Sequence, residues 1–131
     1  MEYKHSDTTK EIIAAAMEVH REIKSGFREL IYQRSLSIEL NSRKIIFQEE
    51  VEMPIYYKGY EVGKRRVDFL VNKEVSVEIK AVAKLEDVHL AQALNYLESF
   101  NLEVGLLINF GSASLEVKRL YNKKYRSMII Q

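Results

Sequence analysis

Arg66-Val67-Asp68-Phe69-Leu70-Val71 and Val75-Ser76-Val77-Glu78-Ile79-Lys80-Ala81, joined by Asn72-Lys73-Glu74, decide how this chain folds. Side chains alternate across a strand. Val75, Val77, Ile79 and Ala81 therefore share one face of the second run, and Ser76, Glu78 and Lys80 the other. In the first run Val67, Phe69 and Val71 lie on one face, with Arg66, Asp68 and Leu70 on the other. A two-residue turn at Asn72-Lys73 would pair Val71 with Glu74 and set Val67 opposite Glu78. That mixes apolar and charged faces, which a half-buried sheet does not tolerate. A three-residue loop, Asn72 to Glu74, pairs Val71 with Val75, Phe69 with Val77 and Val67 with Ile79. It also sets Asp68 opposite Glu78. This register, or a bulge equivalent to it, is the expected one.

Two carboxylates facing each other across a ladder repel, at a cost on the order of 0.5–1 kcal/mol, more when shielded from water. A divalent cation between them removes the penalty. Magnesium favours one or two carboxylates and keeps its other positions for water and phosphate oxygens. Lys80, one pleat beyond Glu78, can hold an attacking water or offset charge developing on phosphorus. Asp68, Glu78 and Lys80 thus make a hydrolytic group around a hard cation.

Outward from this hairpin the periodicity predicts three helices. The first spans Thr8 to Lys24, with Ser6 and Asp7 as N-caps and Ile12, Ala16, Val19 and Ile23 on its apolar stripe. Ser25-Gly26 punctuates the chain, and a second helix runs from Phe27 to Ser42. On it Glu29, Tyr32, Leu36 and Leu40 form one stripe. Glu29 is thus an acid on an otherwise buried line, either stabilising its own helix N-terminus or aimed at the metal. A third helix covers Leu85 to Phe100, where Gln92 and Tyr96 stand one turn apart and can reach together toward the sheet. Gln92 suits a phosphate or water, and Tyr96 a phosphate or a stacked base; a core glutamine and a wedge tyrosine are the plainer alternatives.

Strands are expected at Ile45 to Tyr57, Tyr60 to Val71, Val75 to Val82, Glu103 to Phe110 and Leu115 to Tyr121, with Pro54 marking an edge or a bulge in the first. The order α-α-β-β-β-α-β-β makes an α+β fold, an α/β sandwich in which helices flank a mixed sheet.

At 131 residues, 47% hydrophobic and 30% charged, the chain suits one ordinary globular domain over residues 1–131. It has no cysteine, which excludes disulfides, thiolate metal sites and thiol catalysis. The polar N-terminus does not read as a signal peptide, and no apolar run approaches the roughly 18 residues of a membrane span. A cytoplasmic setting and no membrane partner are expected. The net charge of +1 does not mark a nucleic-acid binder. Lys64, Arg65 and Arg66, and separately Lys118, Arg119, Lys123, Lys124 and Arg126, are local clusters able to meet phosphates or simply to face solvent. His5, His20 and His89 are scattered and are given no role.

Gly26-Phe27-Arg28-Glu29-Leu30-Ile31-Tyr32 resembles the G-x-x-E-x-x-Y signature of the small proteins named after that motif, which are placed in the PD-(D/E)xK nuclease superfamily. The likeness extends through Arg66-Val67-Asp68-Phe69, Val77-Glu78-Ile79-Lys80-Ala81, Gln92-Ala93-Leu94-Asn95-Tyr96 and Leu107-Ile108-Asn109-Phe110-Gly111. It implies a restriction-endonuclease-like fold and metal-dependent nuclease chemistry with Mg2+ or Mn2+ on DNA or RNA. It further implies that Asp68 and Glu78 resemble metal ligands and Lys80 the catalytic lysine. Glu29 resembles the helix acid, and Gln92 with Tyr96 a Q-x-x-x-Y element. Val67 stands where the superfamily's name has proline, a backbone matter rather than a chemical one.

The leading expectation is hydrolysis of phosphodiester bonds. Asp68, Glu78 and Glu29 serve the metal, Lys80 the water, and Gln92, Tyr96 and Arg66 the substrate. The alternatives are a catalytically inactive nuclease-fold module that binds nucleic acid or a partner protein, and a structural polar network around some other binding function. A homodimer would enlarge the small footprint.

Overall fold

A computed structural model describes residues 5–127. The elements follow the expected order: α1 (Ser6–Ile23), α2 (Glu29–Ser42), β1 (Phe47–Tyr57), β2 (Tyr60–Val71), β3 (Val75–Lys80), α3 (Asp87–Phe100), β4 (Val104–Asn109) and β5 (Glu116–Tyr121). One five-stranded sheet has the spatial order β1-β2-β3-β4-β5. β3 and β4 run parallel and every other pair antiparallel. The parallel pair needs a crossover, which α3 supplies. Among the described residues no helix is long and apolar enough to cross a membrane.

The hairpin register is the one that face alternation demands: Val71 pairs with Val75, Leu70 with Ser76 and Phe69 with Val77. The ladder stops at Phe69–Val77, short of the expected Val67–Ile79 pair. Asn72 and Lys73 turn the chain with φ of 53° and 58°, a left-handed pair that suits a tight hairpin.

The valine face of β3 supplies the main core. Val75, Val77 and Ile79 pack with Phe69, Leu106 and Ile108 beneath Ile12, Ala15, Ala16 and Val19 of α1 and Tyr32, Leu36 and Leu40 of α2. On the opposite face α3 sets Ala93 against Leu107 and Leu85 in a smaller cluster. β4 is buried along its whole length, as its unbroken apolar run requires of a central strand with both faces covered.

Some termini differ from expectation. Ser6 and Asp7 lie inside α1 rather than capping it. The preceding residue, His5, is left-handed with no side-chain cap and instead bridges Glu74 and Glu103 at 3.1 and 3.2 Å. α2 starts at Glu29 rather than Phe27, and β3 ends at Lys80 rather than Val82. Pro54 sits in an edge strand, β1, where its missing N–H breaks no interior ladder.

Candidate functional site

Glu78 and Lys80 project from the end of β3, and Asp68 from β2 just past the last ladder pair. Here side chain replaces backbone: Oδ2 of Asp68 accepts the Ile79 N–H at 2.7 Å. That bond pins Asp68 beside the strand carrying the other two groups. Glu78 is only 9% exposed, and no hydrogen bond or ion pair from a described residue reaches its carboxylate.

Electrostatics tie the acids together. Burial raises the Asp68 pKa, against the opposing pull of the Ile79 amide, Lys80 and Arg66. Burial first, and then the Asp68 charge, raise that of Glu78, while Lys80 and Arg65 oppose. Glu29, the first residue of α2, is exposed at the rim. Partial burial of its carboxyl and the Asp68 charge push its pKa up, against Lys80 and His89. The three acids and Lys80 therefore share one field. They do not, however, converge into a ready ligand set: among the described residues no group of three His, Cys, Asp or Glu side chains could hold a metal ion. The donor chemistry fits a hard cation on two carboxylates, Asp68 and Glu78, with its remaining positions left to water and substrate.

Glu29 is held by the loop before it. The Tyr32 hydroxyl donates to the Lys24 carbonyl at 2.6 Å and accepts the Phe27 N–H at 3.1 Å. The Tyr32 ring is fully buried and stacks on Phe110 at 4.9 Å. Gly26 takes φ of 117° in that loop, a conformation costly for any residue with a Cβ.

Gln92 and Tyr96 part company. Ala93, Tyr96 and Leu97 are the buried residues of α3, and Gln92 falls about 90° around the helix from the middle of that arc. The Gln92 side chain is accordingly exposed and does not reach the sheet beside Tyr96. Tyr96 is fully buried and its ring stacks on Phe100 at 4.1 Å, so the ring has no free face for a base. Its hydroxyl is buried without a hydrogen-bond partner among the described residues. Burial and then the Glu78 charge push its pKa up strongly. Buried orphan hydroxyls are rare and call for an explanation; this one faces the field of Glu78.

The two arginines exchange the places that simple alternation assigns. Arg66 is exposed and pairs with Glu50 at 2.9 Å. Arg65 reaches α3 and donates to the Gln92 carbonyl at 2.7 Å and to Asn95 Oδ1 at 2.8 Å. Between Phe69, which enters the main core, and Arg65, which grips α3, the strand opposite β2 carries Glu50 at φ 53°. Left-handed backbone inside a strand interrupts the pleat, and nothing in the sequence around Glu50 announces it.

Asn109 was missed as a functional residue. It is fully buried and pairs with Lys80 in the β3–β4 ladder. Its Oδ1 accepts from Val82 N–H (2.9 Å) and Gly111 N–H (3.0 Å); its Nδ2 donates to the Val82 carbonyl (2.9 Å) and Glu116 Oε1 (2.8 Å). Phe110 N–H closes on the Lys80 carbonyl at 2.8 Å. A Cβ on Gly111 would run into the Ala81–Val82 backbone. The chain is thereby clamped on both sides of the end of β3, and the Lys80 backbone cannot drift. The signal was present in Asn109-Phe110-Gly111, a polar residue closing an apolar strand. His89 likewise gains a structural part, its Nδ1 accepting the Glu86 N–H at 2.9 Å in a capping box at the start of α3.

The model of the PD-(D/E)XK nuclease superfamily matches residues 6–120. The crystal structure of SSO0001 is similar to this chain, with a TM-score of 0.57 and 23% identity, over 70% of this chain and 48% of the other. The chain thus spans about half the length of that protein, and the likeness speaks to the fold. No match was found among curated proteins.

Proposed function

This chain belongs to the PD-(D/E)XK nuclease superfamily, and from that premise we propose that it hydrolyses phosphodiester bonds of DNA or RNA with Mg2+ or Mn2+, as a member of the G-x-x-E-x-x-Y branch. The observation that carries the proposal is the buried Glu78 beside the half-buried Asp68 on neighbouring antiparallel strands, each pKa raised, with Glu78 raised further by the Asp68 charge and Lys80 one pleat away. Charge held at a protein's expense, in a place where a cation would neutralise it, marks a functional-site candidate.

Asp68 and Glu78 would hold the ion, with Glu29 at the rim assisting through water. When bound, a divalent ion supplies Lewis acidity toward a phosphoryl oxygen and a more acidic water. Lys80, fixed by the Asn109 clamp, orients the attacking water and offsets negative charge building on phosphorus. The Tyr96 hydroxyl, buried and lacking a partner among the described residues, lies in the field of Glu78 and can donate to a water held beside it. Gln92 and Arg66, both exposed, contact substrate at the margin rather than at the reacting atoms. A cytoplasmic setting belongs to the same proposal.

The test is cleavage of DNA and RNA panels with magnesium or manganese. Lys80→Ala and Glu78→Ala should each abolish activity, and activity that survives both substitutions sinks the assignment. One observation favours a second reading, a nuclease fold that binds nucleic acid or a partner without cutting: no three-ligand group is preformed among the described residues. Calorimetric titration separates the two, because a retired site takes up neither manganese nor magnesium.

A further inference from the structure

β1 and β2 outrun the rest of the sheet. From Tyr60 to Val67 the strand beside β2 is β1 alone, so a two-stranded arm roughly 25 Å long at about 3.3 Å per residue leaves the sheet next to Asp68. Its turn is tight, with Lys58 at φ 48° and Gly59 at φ 84°. Such primed geometry fixes the twist of a hairpin. A bare two-stranded ribbon in water is marginal unless something covers it.

The arm carries an unusual load of exposed rings. Tyr56, Tyr57 and Tyr60 are 62, 61 and 76% exposed. The register sets Tyr57 directly opposite Tyr60; it shifts between Tyr56 and Ile55, and beyond the shift Met53 stands across from Arg65. Arg65 grips α3, so this stretch of the arm lies beside α3. Between the two lies a hollow of about 490 Å³ lined by Met53, Pro54, Ile55, Tyr56 and Ser99. Lys58 lies over the Tyr57 ring, 5.4 Å from its centroid. Between Pro54 and Arg65 three cations, Lys58, Lys64 and Arg65, stand against one carboxylate, Glu61.

We propose that the arm is a binding platform for unpaired nucleotides, which stack on Tyr57 and Tyr60 at its tip while their strand leads back along the arm, past the hollow beside Tyr56, toward Asp68 and Glu78. This rests on the nuclease reading and narrows its substrate to single strands or frayed ends. Duplexes are gripped chiefly through many phosphate contacts by lysine and arginine, and a chain of net charge +1 with four cations on the arm, of which Arg66 is paired with Glu50 and Arg65 is bound to α3, is poor in these. Exposed tyrosines interleaved with Lys58 and Lys64 match the other mode, in which bases stack on aromatic rings while cations track the backbone. The three tyrosines also exceed what a solvated turn requires.

The experiment is fluorescence anisotropy, in chelator, with labelled oligothymidine, oligouridine and a duplex of equal length. The single strands should bind roughly tenfold or more tightly than the duplex. Tyr57→Ala with Tyr60→Ala should lower single-strand affinity by roughly tenfold or more, and Tyr57→Phe with Tyr60→Phe should keep it. Lys58→Glu, at the turn and remote from the core, is an independent variant and should weaken single-strand binding several-fold. Equal or tighter duplex binding, no binding of any oligonucleotide, or alanine variants that bind as the parent does would each overturn the platform. So would alanine variants that turn a dimer into a monomer, by light scattering, without touching affinity; the arm would then be a self-association surface. None of these results needs metal or cleavage, so the nuclease reading stands or falls separately, on manganese uptake and on Lys80→Ala.

Discussion

Replacing Glu78 by glutamine should raise the stability of the metal-free protein at about pH 8 and leave it nearly unchanged at about pH 5. Glu78 is 9% exposed, and its pKa is raised above the ordinary 4.5, first by burial and then by Asp68. A carboxyl that holds its proton more tightly folded than unfolded contributes stability below its unfolded pKa and loses it as pH rises through the folded value. Asp68 and Glu29 are raised as well, so all three act in the same direction. At about pH 8 the Glu78–Asp68 repulsion is fully present. Like charges on neighbouring strands cost on the order of 0.5–1 kcal/mol where they face each other, a bound for this pair just past the last ladder position, and an amide also spares the burial of a charge. Set against an amide that is itself imperfectly bonded, the net gain is about 1 kcal/mol, or roughly 3–5 °C in Tm for a domain of this size. Thermal melts by circular dichroism at both pH values, with chelator and with manganese, measure it. The variant should melt higher at about pH 8 in chelator, the gap should narrow at about pH 5, and manganese should raise the parent's Tm far more than the variant's. A variant that melts below its parent at about pH 8 in chelator would refute the reasoning, for the Glu78 carboxylate would then be a bonded structural group.

Tyr96→Phe should be neutral or stabilising by up to about 1 kcal/mol in urea titration, since it deletes a buried hydroxyl that has no partner; a loss of cleavage alongside retained stability would mark the hydroxyl as functional. Tyr32→Phe removes the bridge from Lys24 to Phe27 and should cost about 1–2 kcal/mol. Faster amide exchange should then be seen between Gly26 and Glu29. Asn109→Ala strands the Val82 and Gly111 amides and should cost about 3 kcal/mol or more by urea titration. In the same variant the Glu116 carboxyl, held below its ordinary range first by Asn109, should titrate higher by NMR.

Face alternation was enough to read the hairpin. Of the two-residue turn and the three-residue loop, only the loop keeps Val71, Phe69, Val75 and Val77 together, and its register is the one found. The buried β4 and the α1–α2 stripes were equally plain, because burying an apolar face permits few arrangements. Three features lay beyond such reasoning, for a common cause. The end of the ladder at Phe69–Val77, the left-handed Glu50 and the divergence of Gln92 from Tyr96 all depend on how strands bend and helices roll once packed. Periodicity assumes a regular element, so it places Arg66 beside Asp68 toward substrate. The kinked strand sends Arg65 to α3 and leaves Arg66 to Glu50. Asn109 escaped notice for another reason. A buried asparagine is visible as a residue, but its four bonds reach across loops no local pattern connects.

Three irregularities gather around Asp68, Glu78 and Lys80. The interrupted ladder puts Asp68 Oδ2 on the Ile79 amide, Glu50 stands in the edge strand between the residues that pair with Phe69 and Val67, and the orphan hydroxyl of Tyr96 feels the Glu78 charge. Each departs from what stability alone would select: a continued ladder, an extended glutamate and a bonded or absent hydroxyl. On the β4 side of Lys80 the fold obeys the simple rules, with Asn109 fully bonded and the β3–β4 register unbroken from Val75 to Lys80. Under the proposed function, that contrast suits a site that holds Lys80 in place while leaving room beside it for an ion and a phosphate; a purely structural network would instead be expected to gain stability from Asp68→Asn with Glu78→Gln whether or not metal is present.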